Sequence, residues 1–336
     1  MNKLVSCLIG KKNSCIPIWF MRQAGRYLPE FKKIRSKNPD FINLCLNSEL
    51  SSQITIQPIT RFDLDAAIVF SDILMVPFAL GQNVKFEKDV GPILSNFNLD
   101  SFLEVSEELF TKRLLPVYET IRITRRNLDK RKSLISFIGS PWTLAIYMLG
   151  LKQEKNILNN DLLERKRKEL KLILKSLNKF LCAHIINQIN SGADIVQIFD
   201  SWAGLIPEKD LDNYCYQPNQ ELVNFCKNNN IPVICFPKGI KKNYANFANI
   251  VKPDGLSIDY EINPEWAREN LEGVCIQGGM DPKMLLSKDE LMFQEAEKYI
   301  KIFKDSPYIF NLGHGLLPGT DPYMVEKLIK FVRKFE

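Results

Sequence analysis

A chain of 336 residues with 45% hydrophobic and 25% charged side chains has ordinary globular composition and a length that one α/β barrel fills. Its net charge of +6 comes from Lys and Arg interleaved with acidic residues, without the basic patch and stacking aromatics of a nucleic-acid module, so only a weak bias toward anionic ligands remains. No run approaches the ~18 apolar residues of a membrane-spanning helix, and no Pro-rich or Ser/Gly-rich linker divides the chain, so residues 1–336 are expected to form one domain.

At the start, Leu4-Val5-Ser6-Cys7 looks like a lipoprotein cleavage box, but the apolar stretch before it is too short for a signal peptide. The eight cysteines include no CxxC pair and no Cys/His cluster. A cytoplasmic protein with reduced thiols is the expectation.

Short apolar runs rich in Val, Ile and Phe then recur, most of them followed by an amphipathic stretch of helical length. In chain order they predict strands at Pro17–Phe20, Ala66–Ser71, Leu134–Gly139, Asp194–Phe199, Pro232–Phe236, Gly255–Ile258, Val274–Gln277 and Tyr308–Leu312. Between the third and fourth, Leu162, Leu163, Leu170, Leu174, Leu177 and Leu181 keep a helical period, and the basic run Arg165-Lys166-Arg167-Lys168 reads as its solvated face. Continuous hydrophobicity, as in Ala66-Ala67-Ile68-Val69-Phe70, suits parallel strands covered on both faces. Eight βα units predict a single TIM-type (β/α)8 barrel.

An open doubly wound sheet would alternate in the same way. Every predicted strand, however, is followed directly by unusual polar or glycine residues: Arg22 to Arg26, Asp72, Ser140 to Thr143, Asp200 to Gly204, Lys238-Gly239, Asp259, Gly278 to Pro282 and Gly313-His314-Gly315. In a closed barrel these converge on one mouth, where loops vary freely while the barrel stays packed.

Those loops carry a resemblance. The segment from Pro17 through Arg22-Gln23-Ala24-Gly25-Arg26 to Phe31 resembles the first hallmark of the uroporphyrinogen decarboxylase family. Phe70-Ser71-Asp72-Ile73-Leu74, Gly139-Ser140-Pro141-Trp142-Thr143 running to Tyr147, Phe199-Asp200-Ser201-Trp202-Ala203-Gly204 and Asn311-Leu312-Gly313-His314-Gly315 are similar to further family motifs, in the family's order. Departures are Gly279 where the family usually has Asn and Tyr260 where it has Trp. The resemblance implies a barrel without metal or organic cofactor, a homodimer with facing mouths, and removal of the acetate carboxylates of uroporphyrinogen III to give coproporphyrinogen III.

The residues suit that chemistry. A reduced tetrapyrrole ringed by carboxylates calls for Arg, whose planar fork holds a carboxylate bidentately and stays charged. Arg22 and Arg26 are the first candidates, with Gln23 and the backbone amides near Ala24 and Gly25 beside them, and Arg35 further along. Losing CO₂ needs an electron sink, usually borrowed from a cofactor. No cofactor motif appears, but a pyrrole protonated on ring carbon supplies its own. A carboxylate accepting the pyrrole N–H bonds would stabilise that cation. Asp72 ends an apolar strand and can take this role, which the resemblance assigns to it; from position alone a helix cap is equally good. Tyr147 and Ser201 offer hydroxyls. Of the two histidines, His184 reads as helix packing, whereas His314 lies between glycines with a pKa expected near neutrality. Tyr147, His314, water and a neighbouring substrate carboxylate all qualify as the proton donor. Phe20, Met21 and Phe236 read either as apolar walls or as core.

Two other readings are open: a methyltransferase of a related barrel that uses thiolate-bound zinc, which wants Cys and His close together, and a tetrapyrrole carrier without chemistry. The strand ends hold Asp, Arg and His instead of Cys, and Cys235 and Cys275 fall inside predicted strands.

Overall fold

The computed structural model describes residues 2–11, 15–87 and 90–335. Seven strands form one parallel sheet: β1 (Ala66–Ile68), β4 (Ser133–Gly139), β5 (Ile195–Asp200), β6 (Val233–Pro237), β7 (Gly255–Ile258), β8 (Cys275–Gly278) and β9 (Tyr308–Ile309), adjacent in that order. The remaining two, β2 (Val84–Glu87) and β3 (Gly91–Leu94), pair antiparallel as a hairpin outside it. The strands of the sheet lie within a residue or two of their predicted starts, and helices separate most of them.

The first predicted strand, Pro17–Phe20, closes the ring without forming a regular ladder. Proline has no N–H to donate, and this segment pairs through isolated bonds, among them Trp19 N–H to the Phe310 carbonyl at 3.4 Å. Phe310 N–H donates to the Pro17 carbonyl (2.8 Å) on one side, and Asp65 N–H donates to the Ile18 carbonyl (2.9 Å) on the other. The Ile18 N–H goes to a side chain, Asp65 Oδ2 (2.8 Å), which Arg333 Nη2 also reaches at 2.6 Å. A buried carboxylate thus fastens the seam where the ladder lapses.

The helix Asn160–Asn190 begins where the Asn159 side chain accepts the Leu162 N–H. Leu163, Leu170, Leu174, Leu177 and Leu181 face inward. The basic run lies outside: Lys166 pairs with Glu169, and Arg167 with Glu164 and Asp210. Among the described residues no helix is long and apolar enough to cross a membrane.

A short helix, Lys3–Leu8, seals the end of the ring where the strands begin. Asn2 caps it, and Leu4, Cys7 and Leu8 are buried against Ala66, Ile135, Ile195, Ile234, Cys275 and Ile309. Leu8 fits because Gly255 has no side chain; a Cβ there would stand 2.6 Å from Leu8 Cδ2. The helix covers the strand starts, and the polar strand-end loops lie at the opposite end.

Candidate active site

The loop after Phe20 is built around Gln23. Phe20 N–H donates to Gln23 Oε1 (3.0 Å), Gln23 Nε2 donates to the Ala66 carbonyl (3.0 Å), and the Tyr27 hydroxyl donates to the Gln23 carbonyl (2.9 Å). Gln23 is fully buried with both ends of its amide in use. Its side chain clasps the loop to β1. So held, Arg22 adopts φ +61, the left-handed region that non-glycine residues rarely occupy and that marks an over-determined site. The N–H groups of half-buried Ala24 and Gly25, and of Arg26, have no partner among the described residues. Successive free amides beside a left-handed residue make an anion-accepting hollow.

The last loop is tied to the first. Met21 N–H donates to Asn311 Oδ1 (3.2 Å) and Leu316 N–H to the Met21 carbonyl (2.9 Å). The Arg22 side chain runs over Gly315, where a Cβ would stand 2.4 Å from its Cδ. Solvent reaches the outer face of Arg22 while protein surrounds its flanks. That burial and the charge of Arg26 press its pKa down, opposed by Asp72 and Tyr147. Arg22, Arg26, Asp72 and Tyr147 therefore share one electrostatic neighbourhood.

Asp72 follows the strand-like segment beyond β1. Its Oδ1 accepts the Leu74 N–H at 2.9 Å, an Asx turn. The helix Met75–Ala79 has Leu74 as its cap residue, so Asp72 orders the approach to that helix without capping it. Oδ2 has no partner among the described residues. Burial pushes the carboxyl up to about 6, against the Leu74 N–H and Arg22. Tyr147 stands near the end of the helix Pro141–Met148, half-buried, its ring edge-on to Trp202 at 6.1 Å. Burial raises its pKa, so it remains a neutral phenol able to donate.

His314 is half-buried. Burial, then the charges of Arg22 and Lys238, bring its pKa down to about 3, which corrects the expectation of a value near neutrality. At that value the imidazole is neutral near pH 7. Ser201 is half-buried in a cavity of about 200 Å³ shared with Trp202, Lys238, Asp259 and Tyr260. Arg35 is engaged elsewhere, donating to the Asn38 carbonyl with its guanidinium 5.5 Å from the Phe41 ring centre.

The remaining strand-end acids hold loops together. Asp200 accepts from Thr143 Oγ1 (2.7 Å) and Asn219 Nδ2 (3.3 Å); Asp259 accepts from Gly239 N–H, the Tyr244 hydroxyl and Glu261 N–H; Asp281 accepts from Lys283 N–H. His184 is buried against Tyr118 and Phe110. Phe20, Met21 and Phe236 are core, as are Cys235 and Cys275. Lys238 is the residue that sequence reasoning passed over, although it stood among the strand-end polar residues. A wider groove of about 780 Å³ between helices Ser48–Arg61 and Glu107–Asn127 lies on the outer face, away from this cluster. Among the described residues no three His, Cys, Asp or Glu side chains gather as a metal site.

The sequence model of uroporphyrinogen decarboxylase (URO-D) matches residues 1–335. The chain belongs to this family. It is 38% identical over 339 residues to the uroporphyrinogen decarboxylase of Rickettsia felis, covering 100% of this chain and 98% of that protein. It is 39% identical to the uroporphyrinogen decarboxylase of a Chelativorans species, with 99% and 98% covered. Among solved structures, a methyltransferase from Methanosarcina mazei superposes with TM-score 0.75 at 17% identity, over 98% of this chain and 97% of that one. A putative vitamin-B12-independent methionine synthase from Listeria monocytogenes gives TM-score 0.55 at 11% identity, with 96% and 99% covered. At such identities the likeness extends to the barrel fold alone. The Arg22 and Asp72 loops therefore take their family meaning from the sequence match.

Proposed function

We propose that the chain decarboxylates the four acetate groups of uroporphyrinogen III to methyl groups, giving coproporphyrinogen III and CO₂ for tetrapyrrole biosynthesis. The observation that carries this reading is the family match over residues 1–335. Arg22, Arg26, Asp72, Tyr147 and His314 at one mouth supply groups suited to it.

In this reading Arg22, Arg26 and the free amides of Ala24 and Gly25 hold acetate and propionate carboxylates, and Ser201 adds a hydroxyl. Gln23 positions the loop, and Arg35 acts at most on a peripheral carboxylate. The Asp72 carboxylate accepts the pyrrole N–H bonds. When a proton adds to the α ring carbon next to the one bearing the acetate, the pyrrole becomes a cation that Asp72 stabilises from a preorganised position. The bond from the methylene to the carboxylate then breaks, its electron pair passes into the ring, and CO₂ leaves. A proton adds to the exocyclic carbon to make the methyl group, and the ring carbon gives its proton back. One proton is consumed for each CO₂ released. Neutral Tyr147 and His314 hydrogen-bond the substrate, and Tyr147 is the better proton donor of the two.

The protein is further proposed to act as one domain, in the cytoplasm, as a homodimer with facing mouths. Incubation with uroporphyrinogen III, with products separated by carboxylate count, tests the activity: stepwise loss from eight carboxylates to four is expected, and unchanged substrate with properly folded protein would refute it.

A further inference from the structure

Around the closed ring, the first segment and β6 are farthest apart. β1, β4 and β5 intervene on one side, and β9, β8 and β7 on the other. Arg22 and Arg26 rise from the first position, and Lys238 follows β6. The two cationic centres thus belong to opposite positions of the ring, and His314 senses both Arg22 and Lys238.

Lys238 is half-buried in the cavity of about 200 Å³ that Ser201 shares. Two carboxylates, Asp259 and Glu261, line the same cavity, yet among the described residues Lys238 pairs with neither. Asp259 is already occupied by the Gly239 N–H (2.8 Å), the Tyr244 hydroxyl (3.0 Å) and the Glu261 N–H (3.0 Å), and Glu261 is exposed. The Lys238 main chain is fixed, its N–H donating to the Asp200 carbonyl and its carbonyl accepting the Gly204 N–H. A second cation stands at the rim: Lys152 Nζ lies 4.5 Å from the centre of the Trp202 ring and donates to Asn156 Oδ1 at 3.2 Å. An ammonium group on a fixed stem, unpaired and beside a free hydroxyl, is a receptor for a carboxylate.

We infer that Lys238, with Ser201, forms a second carboxylate subsite opposite the arginine pair, holding a side-chain carboxylate on the far edge of the macrocycle. This rests on the decarboxylase reading above. A macrocycle with carboxylates on every side is held level only if the edge far from Arg22 and Arg26 also meets a cation. One clamp alone would let it tilt away from Asp72.

The test is Lys238→Gln, with Lys238→Arg as the charge-retaining control and Lys238→Met, which keeps much of the aliphatic stem, read in parallel should Gln disturb the fold. KM and kcat for uroporphyrinogen III, the salt dependence of kcat/KM, and melting temperature are measured for each. The expected result is KM raised roughly tenfold in the neutral variants, a shallower loss of kcat/KM with salt, and recovery by Arg. A neutral variant that melts like wild type and keeps KM within about twofold overturns the subsite. So does a fall in kcat with KM and salt dependence unchanged, which is what a purely structural lysine gives. Wild-type protein that leaves uroporphyrinogen III untouched refutes the decarboxylase reading instead, separating the two failures.

Discussion

The Arg22 side chain lies over Gly315, with its Cδ 2.4 Å and its Cγ 2.7 Å from where a Cβ would stand. The bare α-carbon of the last loop is the floor on which the first loop's guanidinium rests. Gly315→Ala should therefore move Arg22 without undoing the barrel, since the displaced atoms belong to a flexible side chain. Because misplacement of a clamp by about an ångström is felt strongly in catalysis, kcat/KM for uroporphyrinogen III should fall roughly tenfold or more, with melting temperature nearly unchanged. Unaltered kinetics would show that Arg22 is not held there for function.

Asp72→Asn separates charge from shape. Asn keeps an oxygen able to accept the Leu74 N–H, so the Asx turn and the melting temperature should survive. Turnover should drop by roughly 10²-fold or more, the scale for losing one preorganised electrostatic group. Asp72→Glu should also be impaired, because the extra methylene shifts the carboxylate. Near-normal turnover in a well-folded Asn variant would remove Asp72 from the mechanism.

The same carboxyl sets a pH dependence. Its folded pKa of about 6 exceeds the free value of 3.8, so the folded protein binds this proton more tightly than the unfolded chain does. Asp72 therefore favours folding while protonated, and that contribution is lost as pH rises from about 4 to about 6. Buried Asp200, also pushed up to about 6, acts with the same sign on stability. Catalysis needs charged Asp72 and should rise over the same interval, giving kcat/KM an acid limb near pH 6. A limb near pH 4, measured with the enzyme still folded, would contradict the role of a desolvated Asp72.

Both histidines should be silent in titration. Burial brings His184 to about 3, and burial together with Arg22 and Lys238 brings His314 to about 3. With only two histidines in the chain, their ring proton resonances are readily assigned, and neither should shift between pH 8 and roughly pH 5. A midpoint near 6.5 for His314 would restore it as an acid in the reaction.

Much of this arrangement was legible from local pattern. Strand positions follow from apolar runs, and the polar residues at their ends identify the mouth, because both are properties of short segments. What escaped depends on residues far apart in the chain. The clasp from the Gln23 amide to the Ala66 carbonyl joins residues 43 positions apart. The seam at Asp65 needs Ile18 and Arg333 together. His314 sits between glycines as an open loop residue would, but its pKa is set by burial and by Lys238, which belongs to another strand. The paired strands Val84–Glu87 and Gly91–Leu94 lie outside the repeating βα pattern, so that pattern gives no sign of them.

The sealing helix Lys3–Leu8 carries a consequence for how the chain matures. It is synthesised before every strand, yet the surface that receives Leu4, Cys7 and Leu8 is assembled from β1, β4, β5, β6, β8 and β9. Cys7 completes its fit only against Cys275 and the carbonyl of Tyr308, 268 and 301 positions later. During translation this apolar face has no place to dock until nearly the whole ring has emerged from the ribosome. Through that interval its apolar side chains lack their folded partners, and its docking requires that the barrel has closed.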